Sequence, residues 1–121
     1  MSKSPDFEPL PPFVDAYFRA TNAGDLVGLV ATFEQDALVN DQLRDIWGVS
    51  AITDWARQDI VGLGLRLKPV SWLVHYDAII VTAHAEGPFD RRGLPDPLVL
   101  SLHFSGRDGK IDRLIILQNV T

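Results

Sequence analysis

The feature that most constrains the fold is the division of the sequence into a helix-forming first half and a strand-forming second half. Four β-rich runs fill the second half: Leu65–Tyr76, Ala78–Glu86, Leu98–Phe104 and Ile111–Val120. Their separators are Asp77, the Pro- and Gly-rich loop Gly87–Pro97 and the turn Gly106-Arg107-Asp108-Gly109. Helices followed by a strand meander predict an α+β fold, with three N-terminal helices packed on one face of a curved antiparallel sheet.

Three helices are predicted before residue 65. The first is expected to end at Gly24, which suits a left-handed C-terminal position. Asp25 and Ser50 are expected to cap the second and third helices, and the third is expected to end near Gly62 or Gly64. The apolar positions with helical spacing are Phe13, Ala16, Tyr17 and Ala20; Leu26, Leu29, Val30 and Phe33; and Ile52, Trp55 and Ala56. Two short extended pieces, Ala37–Asp41 and Arg44–Trp47, are expected between the second and third helices.

Composition and charge exclude several classes of protein. A chain of 121 residues has room for one domain, expected over residues 11–121 after an extended, proline-rich segment at 1–10. Without cysteine there is no disulfide framework, thiolate zinc site or cysteine nucleophile. The net charge is −5 and no basic cluster exceeds Arg91-Arg92, so neither nucleic acid nor an anionic membrane is expected as a partner. The absence of a long apolar run and of a signal-type segment predicts a cytoplasmic location.

Alternation within the strands separates an apolar face of the predicted sheet from a mixed one. The apolar face, which the helices should cover, carries Leu98, Leu100, Leu102 and Phe104, together with Ile79, Val81, Ala83 and Ala85. The outer face carries Ile80, Thr82, His84 and Glu86, together with Val99, Ser101 and His103. Because this outer face is too apolar for bulk water and too polar for a core, we expect a homodimer formed through it.

No metal or cofactor is expected from the motifs. His75, His84 and His103 fall on three different strand runs without the spacing of a metal site, and alternation places two of them on the outer face. They are expected to be surface or interface residues. The sequence has no Gly-x-Ser-x-Gly elbow, and Gly62-Leu63-Gly64 is too short for a phosphate-binding loop.

Several short stretches follow one another in an order that is informative about the fold family. They are Tyr17, Asn22-Ala23-Gly24-Asp25, Thr32-Phe33, Asp36-Ala37-Leu38-Val39-Asn40-Asp41, Gly48 with Ala51-Ile52 and Trp55, and Gly109-Lys110-Ile111. Over residues 11–120, this order resembles the nuclear-transport-factor-2-like, or SnoaL-like, family. The resemblance implies a cone-shaped α+β fold with an internal pocket. That fold hosts isomerases, dehydratases, cyclases, epoxide hydrolases and plain association modules.

Ketosteroid isomerase is the nearest catalytic comparison within this family. Its scheme uses a carboxylate base beside a ketone, and a Tyr and a protonated Asp that donate hydrogen bonds to the enolate oxygen. The resemblance places Tyr17 at the donor Tyr and Asp41 at the base. The protonated Asp falls at Leu100 or at Ser101, depending on the residues aligned, and strand alternation favours the inward-facing Leu100. Since neither is an acid, a reaction with less oxyanion charge, such as dehydration, becomes relatively easier.

Each candidate residue also has a structural interpretation. Asp41 could be a turn or capping carboxylate, and Tyr17 a core residue whose hydroxyl finds one partner. The candidates for lining a pocket are Trp55, Leu100, Phe104 and Gln118. Two functions stay open: a cofactor-independent isomerase or dehydratase acting on a small, mostly apolar ligand, or a non-catalytic dimeric module for ligand binding or association. A pocket of at least roughly 300 Å³, shared by Asp41 and Tyr17, would favour the enzyme.

Overall fold

The computed structural model describes residues 9–90 and 92–118. Within these residues, three helices and six strands follow one another: α1 (Pro12–Ala23), α2 (Leu26–Val30), β1 (Phe33–Asp41), β2 (Arg44–Trp47), α3 (Gly48–Trp55), β3 (Arg66–His75), β4 (Ala78–Glu86), β5 (Leu98–Arg107) and β6 (Lys110–Gln118). A π-helical segment, Ala56–Val61, continues α3. No helix in the described part of the chain is both long and apolar enough to cross a membrane.

The six strands form one mixed sheet in the order β2-β1-β6-β5-β4-β3. All neighbours are antiparallel except β1 and β6, which run parallel. The prediction of an antiparallel sheet is therefore wrong at this pair. Parallel neighbours need a long crossover between them, and here the crossover consists of everything from β2 to β5. Three helices are present, but they are not all at the N-terminus: α3 follows β1 and β2, the position predicted for it after the two short extended pieces.

The helices cover the face of the sheet that alternation predicts to be apolar. α1 packs against β3 and β6, and α3 packs against β1 and β2. On β5, Leu98, Leu102 and Phe104 are buried on this inner face, whereas Ser101 and His103 are only half-buried on the outer face. The core consists of the inner-face side chains packed against helical residues that include Val14, Tyr17, Phe18, Leu29 and Ile52. The predicted division of the sheet into an inner and an outer face is thus confirmed.

The junction between α1 and α2 follows the predicted capping pattern. Gly24 has a φ of 64° in the left-handed region, where glycine lacks the Cβ clash of other residues. The Asp25 carboxylate accepts a hydrogen bond from the Gly28 N–H at 3.0 Å and caps α2. However, α2 ends at Val30, and Phe33 begins β1 by pairing with Ile111 of β6. Placing Phe33 on the second helix is therefore wrong, since pairing between distant strands overrides the helical spacing.

α3 begins three residues earlier than predicted. Trp47 is the residue before the helix, and Ser50 lies inside it without capping its N-terminus. Gly48 has a φ of 83°, which lets the chain turn directly from β2 into α3. Ser50 as the cap is therefore wrong, because the glycine already starts the helix. The predicted end near Gly62 is confirmed, since the π-helical segment stops at Val61.

The strand boundaries differ little from those predicted in the second half of the chain. β5 continues to Arg107, so that only Asp108 and Gly109, both with positive φ, form the turn into β6. The last predicted positions of β6, residues 119 and 120, lie outside the described residues, as do residues 1–8 of the predicted extended segment.

Candidate functional site

Asp41 ends β1 on the inner face of the sheet. It pairs with Ile116 of β6, which in turn pairs with Leu102 of β5, and both of these side chains are buried beneath the helices. The Asp41 side chain keeps 20% of its surface exposed. The Trp55 indole N–H donates a hydrogen bond to Oδ2 of Asp41 at 2.9 Å. A partly accessible carboxylate is thus held in a fixed orientation at the margin of an apolar core.

The turn after Asp41 brings a guanidinium to the same carboxylate. Gln42 and Leu43 both have positive φ, and the Asn40 side chain accepts the Leu43 N–H at 3.1 Å. Asn40 therefore takes the turn-stabilising role that Asp41 could have had. The tight turn places Arg44 opposite Asp41 in the register of β1 and β2.

Arg44 links Asp41 to the π-helical segment. Its Nη2 lies 3.8 Å from Oδ2 of Asp41 and donates to Oδ2 of Asp59 at 2.6 Å. The hydrogen bond to Asp59 raises the pKa of Arg44, which stays charged. The side chain is 60% exposed, so the energy of this ion pair is small, and its main effect is to fix the position of the guanidinium.

Tyr17 lies on α1 in the centre of the core and is fully buried. Its ring makes edge-to-face contacts with Phe18, Phe33 and Phe104, with ring centroids 5.3 to 6.2 Å apart. Burial, and secondly the negative charge of Asp41, raise the pKa of Tyr17 above its ordinary value of 10.0. The hydroxyl therefore stays neutral and can act as a hydrogen-bond donor.

The Tyr17 hydroxyl has no hydrogen-bond partner among the described residues. The same is true of the Thr21 hydroxyl, which lies one helical turn further along α1. The Thr21 side chain nevertheless lies within hydrogen-bonding range of the Tyr17 hydroxyl and offsets part of the rise in its pKa, although the contact falls short of well-formed hydrogen-bond geometry. Unpartnered buried hydroxyls are uncommon in folded proteins, and two neighbouring ones form an unusual feature of this core.

The other predicted pocket residues divide into two groups. Trp55 and Phe104 are buried next to Asp41 and Tyr17 respectively, and Trp55 is engaged as a hydrogen-bond donor rather than as an apolar wall alone. Leu100 and Gln118 are half-buried and face each other across β5 and β6. Leu100 is on the inner face, so the inward position expected for a protonated acid in ketosteroid isomerase carries a leucine here.

Sequence reasoning missed three residues of this site: Thr21, Arg44 and Asp59. Thr21 has a recognisable signal, because it is four residues after Tyr17 and therefore on the same face of a helix. Arg44 follows Asp41 across a two-residue turn, which pairs the two residues in a hairpin. Asp59 has no such signal, since its position depends on the π-helical segment.

Surface pockets lined by described residues include three of about 300 to 570 Å³. The largest of these three, about 570 Å³, lies between α1 and Pro69 of β3. One of about 320 Å³ lies at one end of the sheet beside Trp47 and Asp112. One of about 300 Å³ lies between β2 and α3 and includes Arg44, Trp55 and Asp59. Neither Asp41 nor Tyr17 lines any of these three pockets, although two of the residues that contact Asp41 line the last one. In the described part of the chain, no three His, Asp or Glu side chains are arranged to hold a metal ion.

Comparison with known proteins gives matches among solved structures. No protein-family model matches the sequence, and no curated protein matches it significantly. A candidate polyketide cyclase from Sinorhizobium meliloti has 33% sequence identity and a TM-score of 0.79, and the match covers 89% of this chain and 95% of that one. The chain belongs to the nuclear-transport-factor-2-like (SnoaL-like) superfamily.

More distant members of the superfamily share the fold alone. A candidate ketosteroid isomerase from Kribbella flavida is 13% identical with a TM-score of 0.74, over 92% of this chain and 78% of that one. TerC, crystallised with polyporic acid, is 19% identical with a TM-score of 0.73, over 88% of each chain. The SnoaL-like fold thus accounts for the helix-covered sheet and does not by itself specify a function.

Proposed function

We propose that this SnoaL-like protein is a cofactor-independent enzyme that removes a proton from a carbon next to a carbonyl group in a small, mostly apolar ligand. Asp41 is the general base, and Tyr17 is the hydrogen-bond donor to the carbonyl oxygen. The observation that carries the proposal is the Asp41 carboxylate on the inner face of the sheet, oriented by Trp55 and close enough to Tyr17 for its charge to raise the pKa of that hydroxyl.

The chemistry follows from the two side chains. When the carboxylate of Asp41 takes the proton, negative charge develops on the carbonyl oxygen, and a neutral Tyr hydroxyl stabilises that charge by donating a hydrogen bond. Return of the proton to a different carbon gives an isomerase, and loss of a hydroxyl group from the neighbouring carbon gives a dehydratase. Ring closure of a polyketide also begins with such a proton removal, which agrees with the naming of the 33% identical protein as a candidate polyketide cyclase.

Proton exchange tests this proposal without knowledge of the natural substrate. 2-Tetralone is an apolar bicyclic ketone whose protons next to the carbonyl exchange with deuterium in D₂O. We expect the wild-type protein to accelerate this exchange at least tenfold over buffer at the same pD, measured by NMR. An exchange rate equal to that of buffer would contradict the proposal and support a non-catalytic module.

One observation favours the second candidate function, a non-catalytic module. The Tyr17 hydroxyl has no exposed surface and its ring is packed by Phe18, Phe33 and Phe104, so a ligand can reach it only if neighbouring side chains move. A dimeric module whose interior is filled by its own side chains would need no such movement. The exchange experiment separates the two functions.

We also propose that the protein is a homodimer formed through the outer face of the sheet. Half-buried apolar and polar residues lie in register across this face, including Ile80, His103 and Ile115 on three neighbouring strands. The five strands of nine or ten residues, each about 4.8 Å wide in the sheet, span roughly 24 Å by 30 Å. The resulting footprint of roughly 700 Å² is comparable to the ~800 Å² that each partner contributes to a standard interface.

The dimer is expected to weaken in acid. Burial lowers the pKa of His103 below its ordinary value of 6.5, so the neutral form is favoured in the folded protein. Burial against a partner in the proposed dimer lowers this pKa further, so the dimer is favoured above pH 6.5 and weakens as the pH falls and His103 takes up a proton on the face that also carries Arg113. Light scattering at micromolar concentration should show about 27 kDa, twice the 13.4 kDa of one chain, at pH 7.5 and a lower mass at pH 5. His103→Gln should remove most of this pH dependence, and a 13 kDa species at pH 7.5 would refute the dimer.

A further inference from the structure

We propose that β3 carries an interaction surface for a second copy of this chain, in which residues 71–75 of the two copies pair edge to edge and antiparallel. The pairing joins two six-stranded sheets into one continuous sheet. It uses the open edge of the sheet rather than its outer face. The inference therefore goes beyond the dimer proposed above and does not depend on it, nor on the chemistry of Asp41.

The register of β3 and β4 shows which backbone groups of β3 point away from the sheet. β3 is the last strand in the sheet order, with β4 on one side. The two-residue turn pairs His75 with Ala78, and hydrogen-bonded and non-bonded pairs alternate along an antiparallel ladder from such a turn. Val74, opposite Ile79, is therefore a non-bonded position. Its N–H and C=O point to the open edge, where an added strand can bind them.

The first half of β3 is protected against such pairing. The Asn22 side chain accepts the Leu67 N–H at 2.7 Å and donates to the Leu67 carbonyl at 2.8 Å, so both edge groups of Leu67 are already bonded. Pro69 has no N–H to donate, and the register shifts at Val70. Proline and a bulge are features with which proteins block pairing at the edge of a sheet.

The second half of β3 lacks this protection. No Asp, Glu, Lys or Arg occurs between Lys68 and Asp77. Leu73, Val74 and Tyr76 are all exposed in this stretch, Val74 to 62%. A long edge strand that is uncharged and exposes apolar side chains is prone to pair with another strand.

The opposite edge of the sheet makes the contrast clear. β2 is only four residues long and includes the charged residues Arg44 and Asp45. Short length and charge are two further ways of preventing edge pairing. The open stretch of β3 therefore stands out against both the other edge strand and its own first half.

The charges at the two ends of the open stretch favour a second copy in antiparallel orientation. Lys68 precedes the stretch and Asp77 follows it. A two-fold axis near Leu73 brings the two Leu73 side chains together and places Lys68 of each copy beside Asp77 of the other. A parallel arrangement would instead bring like charges together. Five paired residues cover roughly 17 Å of strand, so we expect a weak association that requires high protein concentration.

Sedimentation and hydrogen exchange test the edge pairing. We expect the mean mass of the wild type to double between micromolar and millimolar concentration, whatever its mass at micromolar concentration. Val74→Lys should weaken this association at least tenfold, because two like charges then meet near the axis. Val27→Lys makes the same change on α2, where Val27 is 81% exposed, and should associate within twofold of the wild type. The Val74 amide of the wild type should exchange at least fivefold more slowly at the high concentration.

Three results would overturn the edge pairing. One is a wild-type mass that stays constant up to millimolar concentration. Another is a doubling that persists in Val74→Lys. The third is a doubling without slower exchange of the Val74 amide, which would mean that another surface, such as the outer face, makes the contact. Because Val74 and Val27 are exposed, the melting temperatures of both variants should stay close to that of the wild type, and the exchange measurement needs no variant.

Discussion

Replacing Asp41 by Asn is expected to return the rate of deuterium exchange into 2-tetralone to nearly that of buffer, because a positioned general base contributes roughly 10²- to 10⁴-fold to such a step. Asn has nearly the same shape as Asp but cannot accept a proton at neutral pH. Its side-chain oxygen can still accept the Trp55 indole N–H that Asp41 accepts at 2.9 Å. The fold should therefore stay intact, and the loss should be in the chemical step.

The matched control is Asp54→Asn. Asp54 lies on α3, is exposed, and pairs with Arg57 rather than with the site. This variant removes one negative charge from the same part of the protein and should exchange 2-tetralone at the wild-type rate. If both variants or neither lose activity, Asp41 is not the base. Circular dichroism and melting curves of both variants verify that each is folded.

Tyr17→Phe is expected to protect the protein from alkaline unfolding. Because burial raises the pKa of Tyr17 above its ordinary value of 10.0, the unfolded chain releases this proton more readily than the folded one. Below pH 10 the phenol is neutral in both states and does not make the free energy of unfolding depend on pH. Above pH 10 the unfolded chain loses this proton first, so the free energy of unfolding falls as the pH rises. Above pH 10, the wild type should lose about 1.4 kcal/mol of unfolding free energy per pH unit more than Tyr17→Phe does.

Urea unfolding at pH 8, 9.5, 10.5 and 11 measures this difference, and Tyr76→Phe is its control. Tyr76 is 89% exposed in the turn between β3 and β4, so its removal should leave the alkaline slope unchanged. At neutral pH, Tyr17→Phe should be at least as stable as the wild type, since the lost hydroxyl has no partner among the described residues. Parallel slopes for wild type and Tyr17→Phe would show that the hydroxyl can reach water.

Local signals in the sequence predicted much of the fold because they act over a few residues. The left-handed Gly24, the cap at Asp25 and the alternation along β5 each depend on neighbouring positions, and each is confirmed. The parallel pairing of β1 with β6 joins residues about 75 positions apart, such as Asp41 and Ile116, and no local pattern encodes it. Phe33 was misplaced for the same reason, since its partner is in β6.

The sequence predicted the two main residues of the candidate site but not the contacts that orient Asp41. Tyr17 and Asp41 came from the family resemblance and from their positions at apolar segments. The orientation of Asp41 depends on Trp55 from α3 and on Arg44 from β2. Arg44 is in turn held by Asp59 of the π-helical segment. A π-helical turn changes which residues share a face, so helical spacing alone could not have placed Asp59 beside Arg44.

The parallel pairing of β1 and β6 has a consequence for the order in which the protein matures. During synthesis the hairpin of β1 and β2 emerges early, but β1 lacks its second neighbour until residues 110–118 have left the ribosome. Until then Asp41 has no Ile116 beside it, and the inner face at this point stays open to water. The proposed base is therefore in place only when nearly the whole domain has been made, so an incomplete chain lacks the arrangement around Asp41 on which the proposed activity depends.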